Sequence, residues 1–311
     1  MRLRPLLAVS ALALLAACEP APPPPPAAAE DAGVPVRPDP DPVRRSDESR
    51  ALAAYYTRLQ QDLLARGLLR TDGGGPDTPY GAREILENFE RIAFYDEYAR
   101  GAGLTRASFA PSRLKRWPGP VRMTMEFGAT VPLAQRTRDE NELRAYAARL
   151  ARVTGHPISV SDPARANFHV LVMGEDDRPE TIRRIRELVP NIDTDALDIF
   201  RRLPRAIHCL VLAFADEPDH YTRAIAFIRA EHPDLLRRSC IHEEVAQGLG
   251  LSNDSPRARP SIFNDDDEFA LLTSHDEVLL RMLYDPRLSP GMRLEEARPI
   301  LREIVAELVG S

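Results

Sequence analysis

One short segment of this sequence combines residue types that can bind a metal ion or transfer a proton. Residues 240–254 include His242, Glu243, Glu244, Gln247, Asn253 and Asp254. Side chains four residues apart on a helix lie on the same face about one turn apart, so Glu243 and Gln247 would point in one direction. Carboxylate and amide oxygens are ligands for hard divalent ions. This segment is therefore the first candidate for a functional site.

The order of these residues resembles the metal-binding segment of the metzincin peptidases, in particular the matrixins. The matrixin pattern is His-Glu-x-x-His-x-Leu-Gly-Leu-x-His, with three zinc-binding histidines and a glutamate as general base. Aligned on Leu249-Gly250-Leu251, the resemblance assigns the three ligand positions to Glu243, Gln247 and Asn253. It assigns the general base to Glu244. A register that starts at His242 would need a ligand at position 246, where Ala246 has no metal-binding atom.

Features downstream of the glycine also resemble the matrixins. Ser261–Phe263 is similar to the turn beneath the metal, with Phe263 where a methionine is usual. Leu272-Thr273-x-x-Asp276 is similar to a matrixin helix start, and Leu283-Tyr284 to its end. The same stretch resembles an uncharacterised bacterial lipoprotein family of unknown function, in which Glu-Glu-x-x-Gln-x-Leu-Gly-Leu followed by Asn-Asp is typical.

The replaced histidines change what the site is expected to hold. Zinc favours nitrogen and sulfur ligands, whereas one carboxylate and two amide oxygens suit calcium, magnesium or manganese, and bind them weakly. Three interpretations stay open. The first is a pseudo-enzyme that keeps the fold and has lost the metal. The second is an active enzyme with a changed site, formed by Glu243, Glu244, Gln247 and Asn253 with or without His242 or Asp254. The third is that the segment is an acidic amphipathic helix that ends at a glycine and is unrelated to peptidases.

We favour a pseudo-enzyme that binds an envelope peptide or protein along a sheet edge. The first alternative is a metal-dependent peptidase with Glu244 as base, and the second is a structural lipoprotein without a ligand. Asp265, Asp266 and Asp267 form an acidic loop that is expected to be solvated rather than to bind calcium. The net charge of −6 argues against a nucleic-acid partner, which needs a concentrated basic surface.

Hydrophobic periodicity predicts an α+β domain around this segment. The predicted strands are 121–127, 157–161, 168–173 and 209–214. The predicted helices are 46–67, 82–100, 139–153, 180–188, 235–249, 273–284 and 294–309. The metzincin resemblance implies a zincin-like arrangement, in which a small mixed sheet lies above an active-site-type helix at 235–249.

The N-terminal residues predict export and a lipid anchor. Arg2 and Arg4 precede an apolar run that is shorter than the ~20 residues a membrane-spanning helix needs, which is typical of a signal peptide. The run ends in Leu15-Ala16-Ala17-Cys18, which resembles the bacterial lipobox and implies lipidation of Cys18. We therefore expect a cell-envelope protein, lipid-anchored to a membrane, with its domain in the periplasm or outside the cell.

These features divide the chain into five segments. They are a signal peptide at 1–17, a lipidated Pro/Ala-rich tether at 18–45, a helical extension at 46–110, a metzincin-like domain at 111–292 and a C-terminal helix at 293–311. Cys209 and Cys240 remain as a pair after Cys18 is lipidated. Because thiols outside the cytoplasm tend to oxidise, this pair predicts a disulfide.

Overall fold

A five-stranded mixed sheet forms the centre of the domain. The computed structural model describes residues 44–95 and 110–310. The strands are β1 (Val121–Phe127), β2 (Ile158–Val160), β3 (Phe168–Met173), β4 (Cys209–Glu217) and β5 (His220–Arg229). Their order in the sheet is β2-β1-β3-β5-β4. Strands β2, β1, β3 and β5 are parallel, and β4 runs antiparallel to β5 at one edge.

Helices cover both faces of this sheet. Those in the described part of the chain are α1 (Asp47–Ala65), α2 (Ala82–Ala93), α3 (Leu133–Thr154), α4 (Arg178–Leu188), α5 (Thr194–Arg202), α6 (Asp234–Gln247), α7 (Ser274–Leu283) and α8 (Leu294–Val309). Val170 and Val172 of β3 pack into the larger core with α2, α3, α6, α7 and α8. Leu171 and Met173 alternate with them and pack into a second core with α4 and α5. Strand β3 is thus buried on both faces, which explains its nearly continuous apolar sequence.

Local sequence signals account for several element ends. The Ser46 side chain accepts a hydrogen bond from the Ser49 N–H and caps α1. Gly155 adopts a left-handed conformation and ends α3. Thr273 and Asp276 form a reciprocal capping box at the start of α7. These ends agree with the sequence predictions because each depends on residues that are neighbours along the chain.

The predicted α+β class and mixed sheet are confirmed, whereas some element boundaries differ. Helix α3 begins at Leu133 rather than at residue 139, and α5 and β5 were not predicted. Helix α2 ends at Ala93, and the rest of the predicted helix falls largely outside the described residues. The apolar face of α2 belongs to the same core as the sheet.

The predicted signal peptide, Cys18 and nearly all of the tether lie outside the described residues. Among the helices that are described, none is both long enough and apolar enough to cross a membrane.

Candidate functional site

A cleft lies between the edge strand β4 and helix α6. Its volume is about 780 Å³. Residues 206–213, which include the first half of β4, line one wall. The α6 residues Ser239, Glu243, Glu244 and Gln247 line the other wall. A second cavity among the described residues, of about 1220 Å³, continues along β4 as far as Glu217.

Helix α6 is held beneath the cleft by close backbone contacts at its C-terminal end. Trp117 Nε1 donates to the carbonyl of Gly248 at 2.8 Å, and the Tyr284 hydroxyl donates to the carbonyl of Leu249 at 3.0 Å. Gly250 has a φ of 130°, and a Cβ atom there would lie 2.3 Å from the Lys115 carbonyl oxygen. Only glycine permits this turn, so Gly250 fixes the direction in which the chain leaves the cleft.

A disulfide joins the two walls of the cleft. Cys209 is the first residue of β4 and Cys240 lies on α6, with their Cα atoms 5.9 Å apart. This bridge confirms the predicted pairing. Because it is covalent, it limits how far β4 and α6 can separate at this point.

The hydrogen-bonding pattern of β5 determines which way the backbone of β4 points. Within the described residues, β4 belongs to the sheet only through β5. The N–H groups of Ala224 and Ala230 donate to carbonyls on the β3 side. Even-numbered residues of β5 therefore pair with β3, and odd-numbered residues pair with β4.

The outward-facing backbone groups of β4 follow from this alternation. Leu210 and Leu212 lie opposite odd-numbered residues of β5 and exchange hydrogen bonds with them. The N–H and C=O groups of Cys209, Val211 and Ala213 consequently point away from β5, toward the open edge. Their side chains face the larger core, on the α6 side of the sheet.

The predicted site residues divide into two groups. Glu243, Glu244 and Gln247 all line the cleft; Glu244 and Gln247 are only 4% and 7% exposed. Asn253 instead donates from Nδ2 to the carbonyl of Arg91, 3.1 Å away. The next residue, Asp254, lines the cleft, and its Oδ1 accepts a 3.5 Å hydrogen bond from Gln247 Nε2.

His242 lies on the rear side of α6, away from the cleft. Its Nε2 donates to Glu142 at 2.8 Å, its Nδ1 accepts from the Leu272 N–H at 3.0 Å, and its ring stacks on Tyr146. Burial lowers the pKa of His242, although the carboxylate of Glu142 opposes this shift. His242 is therefore a structural residue, and its ring nitrogens are already occupied.

The turn at residues 261–263 is anchored by a fully buried carboxylate. Asp276 accepts from the Ser261 hydroxyl at 2.5 Å, from the Ile262 N–H at 3.1 Å and from the Thr273 hydroxyl at 2.8 Å. Phe263 is completely buried in the larger core. This network fixes the loop whose residues Ile262 and Asn264 line the cleft.

The cleft is strongly acidic. Its lining includes five carboxylates: Glu243, Glu244, Asp254, Asp265 and Asp267. Lys115 and His208 also line it, and burial lowers the pKa of His208, which keeps that ring neutral near pH 7. Sequence reasoning did not assign Lys115, His208 or β4 to the site, because their sequence neighbours carry no motif. Within the described ranges, no three His, Cys, Asp or Glu side chains form a group that could hold a metal ion.

Comparison with known families gives one match. Residues 82–303 match a family described as a protein of unknown function, DUF2927. The chain belongs to this family. The DUF2927 match extends from α2 into α8, so it includes the whole sheet, the cleft and α6. It agrees with the expected membership of an uncharacterised family. Neither a curated protein nor a solved structure gives a match to the chain.

Proposed function

We propose that the DUF2927 domain binds an extended peptide or protein segment, which adds as a strand to the edge of β4. We further propose that the domain is zincin-like, with its zinc site lost, and acts as a lipid-anchored protein of the cell envelope. The main support for the proposal is that the backbone groups of three β4 residues point away from β5, on the strand that lines the cleft. The N–H and C=O groups of Cys209, Val211 and Ala213 can pair with an added strand.

The zincin-like assignment is supported by the arrangement of the sheet and α6. An early helix, α3, follows β1, and the helix with the matrixin-like residues lies across the cleft from an antiparallel edge strand. The glycine turn at Gly250 follows that helix, and the turn at Ser261–Phe263 is tied to Asp276. The helix, the glycine turn and the turn at 261–263 are elements that the sequence resemblance implies, and they follow one another in that order.

The side chains at the three ligand positions do not fit zinc. Glu243 and Gln247 offer oxygen atoms, and Asn253 is hydrogen-bonded to a carbonyl outside the cleft. His242, the nearest imidazole in the sequence, uses both ring nitrogens for Glu142 and Leu272. Zinc favours imidazole and thiolate ligands in tetrahedral geometry. These side chains therefore favour binding without catalysis.

The second candidate function is hydrolysis assisted by a hard divalent ion. The position of Asp254 supports it. Its carboxylate lines the cleft beside Gln247, at the place where the sequence resemblance put the third metal ligand, Asn253. Metal analysis of the purified full chain, together with Glu244→Gln, tests this alternative. One equivalent of bound metal and an envelope-peptide hydrolysis that Glu244→Gln abolishes would replace our proposal with catalysis.

Strand addition can be tested with a substitution that affects only the outward edge of β4. Val211→Pro removes an N–H that points away from β5, so pairing within the sheet is retained. We expect a short end-capped peptide of alternating threonine and valine to bind the full chain, and Val211→Pro to weaken it at least about tenfold. Val211→Thr keeps the N–H and the side-chain shape, and is expected to leave the affinity within about twofold. Fluorescence anisotropy measures both affinities; equal binding by the proline and threonine variants would refute strand addition.

A further inference from the structure

We propose that the disulfide between Cys209 and Cys240 exchanges with a cysteine of the strand that adds to β4. The product is a mixed disulfide between that cysteine and Cys209, with Cys240 released as a thiol. This proposal rests on the proposed strand addition and specifies the ligand as a thiol-bearing peptide segment. It follows from the unequal exposure of the two cysteines, from the spacing of paired strands, and from a histidine beside Cys240.

The two cysteines differ in their access from the cleft. Cys209 is partly exposed and belongs to the cleft lining. Cys240 is only 2% exposed and packs inside the larger core. The course of thiol–disulfide exchange depends on which sulfur the attacking thiolate can reach. A thiolate in the cleft therefore attacks Cys209, and Cys240 is the sulfur that leaves.

Strand addition brings a ligand side chain beside Cys209. The N–H and C=O groups of Cys209 point away from β5, so they can pair with one residue of an antiparallel ligand. Two residues paired in this way have Cα atoms about 5.5 Å apart, within the range of about 4.4–6.8 Å found for disulfide-bonded cysteines. Their side chains lie on the same face of the sheet. A ligand cysteine at this position is thus placed to react with Cys209.

His232 is placed to stabilise the sulfur that leaves. Its Nδ1 lies 3.7 Å from Cys240 Sγ, and because a disulfide sulfur carries no hydrogen, Nδ1 is the donor of this hydrogen bond. Burial holds the pKa of His232 well below its usual value, so the ring is neutral and carries its one proton on Nδ1. Tyr56 and His208 pack edge-on against the ring and hold its orientation. An N–H donor stabilises a thiolate and makes it a better leaving group.

The exchange step balances without an external oxidant or reductant. The ligand thiol releases its proton to water, and the resulting thiolate attacks Cys209 Sγ. A sulfur–sulfur bond forms between the ligand and Cys209 while the bond to Cys240 breaks, with its electron pair passing to Cys240 Sγ. The Cys240 thiolate accepts the His232 hydrogen bond and takes a proton from water. One thiol and one disulfide are consumed, and one thiol and one mixed disulfide are formed.

The experiment uses the full chain with Cys18→Ser, which leaves Cys209 and Cys240 as its cysteines. The oxidised protein is mixed with a short end-capped peptide of alternating threonine and valine that has a central cysteine. N-ethylmaleimide then blocks free thiols, and mass spectrometry measures and locates the adducts. We expect one peptide and one maleimide per chain, with the peptide on Cys209 at least about tenfold more often than on Cys240. Strand pairing raises the effective thiol concentration, so this peptide should react at least about tenfold faster than N-acetylcysteinamide.

Variants separate the effect of strand pairing from that of the histidine. Val211→Pro should slow the cysteine peptide at least about tenfold, whereas Val211→Thr should keep its rate within about twofold; N-acetylcysteinamide should react equally with both. His232→Leu should slow both thiols at least about fivefold, because the Cys240 thiolate loses its N–H donor. His232→Asn keeps an N–H donor and should restore the rate to within about twofold of the wild type.

Each other outcome counts against a specific step. A cysteine peptide that reacts no faster than N-acetylcysteinamide, while its serine counterpart binds and Val211→Pro weakens that binding, would refute exchange and leave strand addition intact. Attachment to Cys240 as often as to Cys209 would also refute exchange. No binding of the serine peptide would refute strand addition itself. These results need no His232 variant, so they decide the proposal even where His232→Leu does not fold.

Discussion

The two sides of α6 use polar residues in opposite ways, although His242 and Glu243 are neighbours in the sequence. On the rear side, both ring nitrogens of His242 are hydrogen-bonded, and Arg237 donates to both carboxylate oxygens of Asp139. On the cleft side, the Gln247 amide makes a single long hydrogen bond to a carboxylate of an acidic cavity. The rear side therefore has the satisfied hydrogen bonds expected of a folded core.

This difference distinguishes polar residues whose hydrogen bonds stabilise the fold from polar residues that line the cleft. Buried groups with matched partners lose stability when one partner is removed, because the other is left buried without a hydrogen bond. Like charges gathered around a cavity raise the free energy of the folded state and persist where binding uses them. Substitutions on the two sides should consequently change the free energy of unfolding by very different amounts.

The largest effect is expected from the disulfide, which joins the start of β4 to α6. Cys209→Ala combined with Cys240→Ala should lower the free energy of unfolding by about 3–4 kcal/mol, because the unfolded chain regains the entropy of an open loop. Urea unfolding of the oxidised protein and of the double variant measures this loss. Wild-type protein unfolded under a reducing agent should match the variant, and a loss below about 1 kcal/mol would contradict the expectation.

The next largest effect is expected at Asp276 of α7, a buried carboxylate whose hydrogen bonds are satisfied as those on the rear side of α6 are. Asp276→Asn replaces an acceptor of four hydrogen bonds from Ser261, Ile262 and Thr273 with a group that also donates. We expect a loss of about 2–3 kcal/mol in the free energy of unfolding. Asp266→Asn, in the exposed acidic loop, is the control and should change it by less than about 0.5 kcal/mol. Similar losses of stability for Asp276→Asn and Asp266→Asn would contradict the expectation that buried, hydrogen-bonded carboxylates stabilise the fold more than exposed ones.

Acid should weaken the rear side selectively. The pKa of His242 is lowered in the folded protein by burial, so below the ordinary value of 6.5 the unfolded chain binds a proton that the folded chain does not. The pKa of Glu142 is also lowered, first by its hydrogen bond with His242, so its contribution is lost as pH falls through the folded pKa. Both shifts make the free energy of unfolding fall with decreasing pH.

His242→Gln tests this pH dependence because a glutamine amide can donate to Glu142 and accept from Leu272 without titrating. Between pH 7 and pH 5 the variant should lose less stability than the wild type. Urea unfolding at several pH values gives the two curves. Parallel curves would show that His242 does not set the acid sensitivity.

Sequence reasoning succeeded where structure depends on near neighbours and failed where it depends on distant ones. The limits of α8 were predicted because its apolar residues follow a helical period along their whole length. Strand β5 was missed because its first residues are polar and its burial comes from pairing with β3 and β4. Asn253 was assigned to the site and Asp254 lines it, because the Arg91 carbonyl, 162 residues away, binds the Asn253 amide.

The smallest effect on stability is expected on the cleft side. Glu243→Gln removes one of the five carboxylates that line the cleft, and weaker repulsion should offset whatever contacts the carboxylate makes. The free energy of unfolding, measured by urea unfolding, should therefore stay within about 0.5 kcal/mol of the wild type or rise slightly. A loss of stability comparable to that of Asp276→Asn would mean that residues on the cleft side stabilise the folded state as much as those on the rear side do. In that case the acidic lining would no longer indicate a ligand, because its residues would already be explained by folding.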